Sequence, residues 1–208
     1  MKRINIFVEG QTEETFVREL LYSYFQQQNI YLNPILVRTS ATGKGGVVSY
    51  GKIKQQLNRK CLSDSSAFVT TMFDLYALPG DFPGNDGMPS MSYPFQKAEY
   101  LEQEMSKDIG HQNFIPNLLV HEFEALLYSN PQAFSGWFDA SAVSTLEAER
   151  NAFPSPEYIN DNPMTAPSKR IIACCDGYEK PLHGCLIAID IGLDAIRQQC
   201  QHFDQWLT

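Results

Sequence analysis

Three acidic residues stand where short apolar runs end. Glu9 follows the run Arg3-Ile-Asn-Ile-Phe-Val8, Asp74 follows Ala67-Phe-Val-Thr-Thr-Met-Phe73, and Glu122 follows residues 114–120 after one intervening histidine. Runs of this length and β-branched or aromatic content are the pattern of buried strands. In an open parallel sheet the carboxyl ends of the strands line the ligand crevice. Carboxylates gathered there repel one another, and a hard divalent cation such as Mg2+ or Mn2+ relieves the repulsion. Such an ion can clamp a phosphate and activate a water, so the pattern points to metal-assisted phosphoester hydrolysis. Taken singly, an Asp or Glu at a strand end is often a solvated loop residue or a helix cap. The reading rests on the three converging.

The elements that must position these residues follow from spacing. After the first strand, Glu9-Gly10-Gln11 breaks the run and Thr12 is expected to cap a helix. Glu13 and Glu14 fall in its first turn, and Phe16, Val17, Leu20, Leu21, Tyr24 and Phe25 recur at helical spacing. A second strand is expected at residues 35–39, then a Gly-rich loop at 41–46 and a helix with Ile53 and Leu57 inward. Residues 67–73 form the central strand. Residues 76–94 hold many Pro and Gly and read as a long loop, functional or mobile at that length. A helix at 95–107, a strand at 114–120 and a helix near 140–150 come next. Residues 185–207 read as one amphipathic helix, with Leu186, Ile189, Leu193, Ile196, Cys200, Phe203 and Leu207 inward. The alternation of strands and helices predicts an α/β fold: a mostly parallel sheet with helices on its faces over residues 1–130. A helical C-terminal extension over 131–208 is expected to pack on the same core.

Basic residues that could meet a phosphate are Arg38 and Lys44, beside glycines whose backbone amides can approach an anion. Gly43-Lys44-Gly45-Gly46 is not a Walker loop, because Arg38 stands where its first Gly belongs and Gly45 follows the lysine. A plain turn is an equal reading there. Lys180 and His183 precede the last helix and either reach the crevice as phosphate contacts or cap nearby structure. His121 is a ligand, a proton shuttle or a structural histidine. Of the pair Glu122 and Glu124, both candidate metal ligands, the first is favoured for the site with the second close behind.

The net charge is −8, which argues against coating nucleic acid by bulk charge and leaves open an enzyme with acidic metal ligands. The five cysteines are odd in number and show no C-x-x-C spacing, so they read as reduced thiols. The start MKRINIFVEG lacks the pattern of a signal peptide, and no run approaches the roughly 18 apolar residues of a membrane span, so a cytoplasmic location is expected.

Ordered along the chain, four segments carry a resemblance. I-F-V-E-G-Q-T-E-E-T-F resembles the first Toprim motif, a strand followed by Glu-Gly. F-V-T-T-M-F-D-L-Y resembles the second, a strand ending in Asp-x-Asp. With H-E-F-E-A-L-L and the tail that begins K-P-L-H-G-C, the chain is similar to a bacterial family of Toprim-like proteins of about this length, a domain family of unknown function. That family is related at the fold level to overcoming-lysogenization-defect nucleases.

The resemblance implies a Toprim-like sheet, with Glu9 as metal ligand or general acid–base residue, Asp74 as magnesium ligand and Glu13 as a secondary glutamate. It further implies a metal-dependent nuclease with an ATPase partner in phage defence; in that reaction Lys44 or Arg38, read from the loop chemistry above, would offset transition-state charge. Tyr76 stands where the second aspartate belongs. Asp81, Glu122 or Glu124 would then replace it, or the site is degenerate. A degenerate binding or regulatory subunit of an ATPase complex and a small-molecule phosphohydrolase are the alternatives.

Overall fold

A computed structural model of the chain describes residues 1–38, 49–91, 93–159, 162 and 164–208. Lys44 and the Gly-rich loop at 41–46 lie outside the described residues. The chain runs β1 (Lys2–Val8), α1 (Gln11–Phe16), a π-helical turn (Val17–Leu21), α2 (Tyr22–Gln26), β2 (Ile30–Leu36), α3 (Tyr50–Ser63), β3 (Phe68–Asp74), α4 (Pro94–Ile109), β4 (Phe114–Ile115) and β5 (Leu118–Leu119). There follow α5 (Glu124–Leu127), α6 (Ala140–Asn151), α7 (Pro167–Cys174), a π-helical turn (Lys180–Gly184), α8 (Cys185–Ile191), α9 (Leu193–Gln199) and α10 (Gln201–Trp206).

Among the described residues the strands lie in the order β2-β1-β3-β4, with β5 also paired to β3, and every pairing is parallel. Alternate strand residues face opposite sides. Ile6, Val8 and Met72 join one apolar cluster with α1, α2 and the helices after residue 130. Phe7, Val69 and Phe73 join a second cluster with α3 and α4. The sheet is therefore covered on both faces, as an all-parallel sheet must be, and its strands all deliver their carboxyl ends to one edge. Among the described residues no helix is long and apolar enough to cross a membrane.

Several element boundaries differ from the sequence expectation for physical reasons. Strand β2 begins at Ile30, not residue 35, and pairs in register with β1 from Lys2↔Ile30 to Val8↔Leu36. Asn33 and Pro34 disguise it. Asn33 donates to Asn5 Oδ1 at 2.9 Å, and β2 is an edge strand, where a proline is tolerated. The helix after β1 starts at Gln11 with Gly10 as its N-cap, so Thr12 does not cap it and is buried instead. The strand expected over 114–120 splits around Pro116. Thr71 Oγ1 bridges the gap, donating to Asn117 O at 2.7 Å and accepting from Asn117 N at 3.0 Å. The single helix expected over 185–207 is three helices, broken at Gly192 (φ 81°) and Cys200. Its apolar spacing survives the breaks, except that Ile189 is exposed and Leu186 only half-buried.

Candidate acidic site at the strand ends

The β1 and β3 strands run side by side, with Val8 opposite Met72, so Glu9 and Asp74 emerge together at the carboxyl edge. Asp74 uses both oxygens. Oδ1 accepts from Phe123 N at 2.9 Å, and Oδ2 stands 3.3 Å from Lys180 Nζ. Glu13 lies in the first turn of α1 and folds back over Gly10, where an added Cβ would meet Glu13 Oε2 at 3.0 Å. Its Oε1 is 3.2 Å from Lys180 Nζ. Glu124 opens α5, and its Oε2 is also 3.2 Å from Lys180 Nζ. One ammonium thus spans three carboxylates drawn from α1, β3 and α5, and it also lies 5.7 Å from the centre of the Phe123 ring. The carboxylate side chains are 4, 10 and 1 % exposed, whereas that of Lys180 is 33 % exposed. The lysine enters from the solvent side.

The turn between β5 and α5 is aimed by His121, which takes φ 68°, a conformation costly for a non-glycine residue. Its ring is fully buried, with Nε2 3.1 Å from Glu157 O, and its carbonyl accepts from Tyr76 N at 2.9 Å. That fixed corner is what presents Phe123 N to Asp74 and swings Glu124 inward.

Charge is unevenly balanced in the cluster. Burial first, then Glu13 and Glu122, push the Asp74 carboxyl up to about 6 against the opposite pull of Lys180. Burial, with Asp74 and Glu122, pushes Glu124 up to about 7, again against Lys180. The Glu9 side chain is open to solvent yet walled by protein. That wall, then Asp74 and Glu13, holds its carboxyl well above the ordinary range. Solvent contact screens part of this repulsion. Burial alone would lower the Lys180 pKa; Asp74, Glu124 and Glu13 overcome it and hold the amine far above the usual lysine value. Beside them the phenol oxygen of Tyr178 is buried with no hydrogen-bond partner among the described residues. Burial and then Glu124 hold its proton in place far above the ordinary tyrosine range.

Of the residues singled out in the sequence, Glu9, Glu13, Asp74, Glu124 and Lys180 come together. Glu122 stands close enough for its charge to raise both Asp74 and Glu124, but its Oε1 accepts from Ser168 N at 2.6 Å at the start of α7. Glu124, not the favoured Glu122, is therefore the one in the lysine's shell. Asp81 is engaged elsewhere: its Oδ1 accepts from Tyr50 N at 2.9 Å, at the head of α3. Arg38 follows β2 along the same edge, is exposed, and makes no ion pair with the cluster among the described residues. The sequence offered Lys180 as a phosphate contact or a capping residue, not as a partner of the carboxylates, and did not point to Tyr178. The signal for Lys180 is a lone lysine beside Pro181, 106 residues from Asp74, which no local spacing connects to it.

The donor chemistry suits a hard divalent cation, since all four carboxylates offer oxygen and together exceed the charge of one ammonium. The spacing in this arrangement suits the ammonium. Among the described residues no three acidic, histidine or cysteine side chains stand so as to enclose a metal ion.

The chain belongs to the family described as a domain of unknown function (DUF4276), whose pattern it matches over residues 8–208. Among solved structures it is similar to the "C-terminal region of the Burkholderia pseudomallei OLD protein", at 13 % identity over 99 % of this chain and 98 % of that chain, with a TM-score of 0.37. No curated protein matches the chain.

Proposed function

We propose that the acidic cluster is a Toprim-like centre for phosphodiester hydrolysis that takes Mg2+ or Mn2+, and that its substrate is a nucleic acid. The observation that carries this reading is the excess of carboxylate over cation at the carboxyl edge of a parallel sheet. Glu9, Glu13, Asp74 and Glu124 gather about one ammonium, and burial and neighbouring carboxylates push up two of them, Asp74 and Glu124. Burial of like charge at this level is relieved by a hard divalent ion. Glu9, Asp74 and Glu124 would hold it, with Glu13 close behind. The ion would supply Lewis acidity and a water of lowered pKa.

The chain's own residues do the rest. Solvent-open Glu9 is placed to take a proton from an attacking water. Asp74 stays oriented by the Phe123 amide whatever its charge. Lys180 offers its ammonium to a phosphate oxygen when it leaves the carboxylates. An ATPase partner and a role in phage defence are what the resemblance to nuclease Toprims adds to this reading.

Purified protein incubated with plasmid and single-stranded DNA is expected to cut in Mn2+ or Mg2+ and not in EDTA. Asp74→Asn keeps an oxygen for the Phe123 amide and loses the charge, so the rate should fall ~100-fold or more. Absence of cleavage under every cation would remove autonomous nuclease activity.

A second reading, a binding subunit without turnover, is favoured by Tyr76 at the second aspartate position and by the lysine seated among the carboxylates. It predicts DNA or partner binding that is indifferent to Asp74→Asn.

A further inference from the structure

We infer that Lys180 is an internal counter-ion that competes with the divalent cation for the same carboxylates, so that the cation site forms only when the turn carrying Lys180 moves aside. This rests on the reading of the cluster as a cation site. Nζ lies at nearly equal distances, 3.2, 3.3 and 3.2 Å, from oxygens of Glu13, Asp74 and Glu124. The three oxygens therefore share one point, and the ammonium fills it. A doubly charged ion at that point would sit against Nζ in a buried setting, where like charges at contact are strongly repelled. The two cations exchange; they do not coexist there.

Two further features point the same way. The ammonium leaves the site incompletely satisfied. The phenol oxygen of the half-buried Tyr178 lies out of solvent, within reach of the Glu124 charge and without a hydrogen-bond partner among the described residues, and buried polar atoms of that kind ordinarily meet a water or an ion. The lysine is also the member of the cluster nearest solvent. It is the first residue of a π-helical turn, three residues after Gly177, whose φ of 75° marks a sharp corner. Its side chain is one-third exposed, while the three carboxylates it bridges are buried. Withdrawal toward solvent costs three ion pairs and restores hydration to the amine. An arriving divalent ion brings twice the charge to the same oxygens.

The test is Mn2+ titration of the full chain by calorimetry, for wild type and Lys180→Met, a neutral side chain of similar length that keeps apolar contact with the Phe123 ring. Competition predicts that Lys180→Met binds Mn2+ about ten-fold tighter or more, a gain of ~1.4 kcal/mol. It also predicts a lower Tm than wild type in EDTA and recovery when Mn2+ is added. Equal or weaker binding by Lys180→Met, with wild type binding normally, overturns the competition and leaves the cation site standing. Binding by neither protein removes both.

Should Lys180→Met not fold, wild type alone decides by amine acylation read by mass spectrometry. Mn2+ should speed acylation of Lys180 relative to EDTA, and unchanged or slower acylation contradicts the exchange.

Discussion

Asp74 and Glu102 show how one carboxylate can serve two partners. Asp74 divides its oxygens between the Phe123 amide and Lys180. Glu102 places Oε1 between Leu118 N at 2.7 Å and His202 Nε2 at 2.9 Å. Burial alone would lower the His202 pKa. The hydrogen bond and charge of Glu102, with Glu157 and Glu99, outweigh it and raise the value above 6.5. Folded His202 therefore holds its proton longer than unfolded His202. The stability this gives is complete below about pH 6.5 and is lost as pH rises through the folded value. Glu102→Gln keeps an oxygen for Leu118 and removes the charge. Thermal melts should then fall less steeply from about pH 6 to about pH 8 in Glu102→Gln than in wild type. Asp74 and Glu124, raised to about 6 and about 7, push stability the same way in both proteins, so the difference reports on His202. An equal slope would deny the pair its charge. At this scale the sequence was most informative where chemistry coincides with a strand end, as at Glu9 and Asp74. Lys180 and His202 meet their carboxylates across 106 and 100 residues, and only the fold brings them there.

Elements were legible where the period was undisturbed and hidden where a single residue breaks or masks it. Helices α3 and α4 lie where apolar spacing places them, because the surfaces they bury are continuous. The segment after Cys185 misleads because its apolar residues keep helical spacing through two breaks. Gly192 is the physical reason for the first break: φ 81° and ψ 148° belong to a region open in practice to glycine alone. Gly192→Ala should lower stability by about 1–3 kcal/mol. This is read as a drop in the urea midpoint with an unchanged slope. A variant as stable as wild type would mean that the segment can continue as one helix. Strand β2 was misplaced for the opposite reason, since Asn33 and Pro34 are poor strand residues that an edge position accepts. His121 belongs here too, because its positive φ is the corner that turns β5 into α5 and brings Glu124 rather than Glu122 to the lysine.

At the scale of the molecule, two apolar clusters sandwich a parallel sheet, and the polar consequences collect at one edge. The fold class was readable because alternating strands and helices leave few ways to bury both faces. The make-up of the site was readable only as a set of strand ends, because the sequence does not say which side chain turns inward after a strand stops. Because the net charge is −8, the proposed nucleic-acid substrate would be held by local cations at that edge, not by bulk charge. The most direct test of the central claim is anomalous diffraction at the manganese edge from crystals grown with Mn2+. A peak is expected within ligand distance of Asp74 and Glu124, with Glu9 turned toward it and Lys180 withdrawn from the carboxylates. Ordered carboxylates still bridged by Lys180, with no manganese among them, would contradict it.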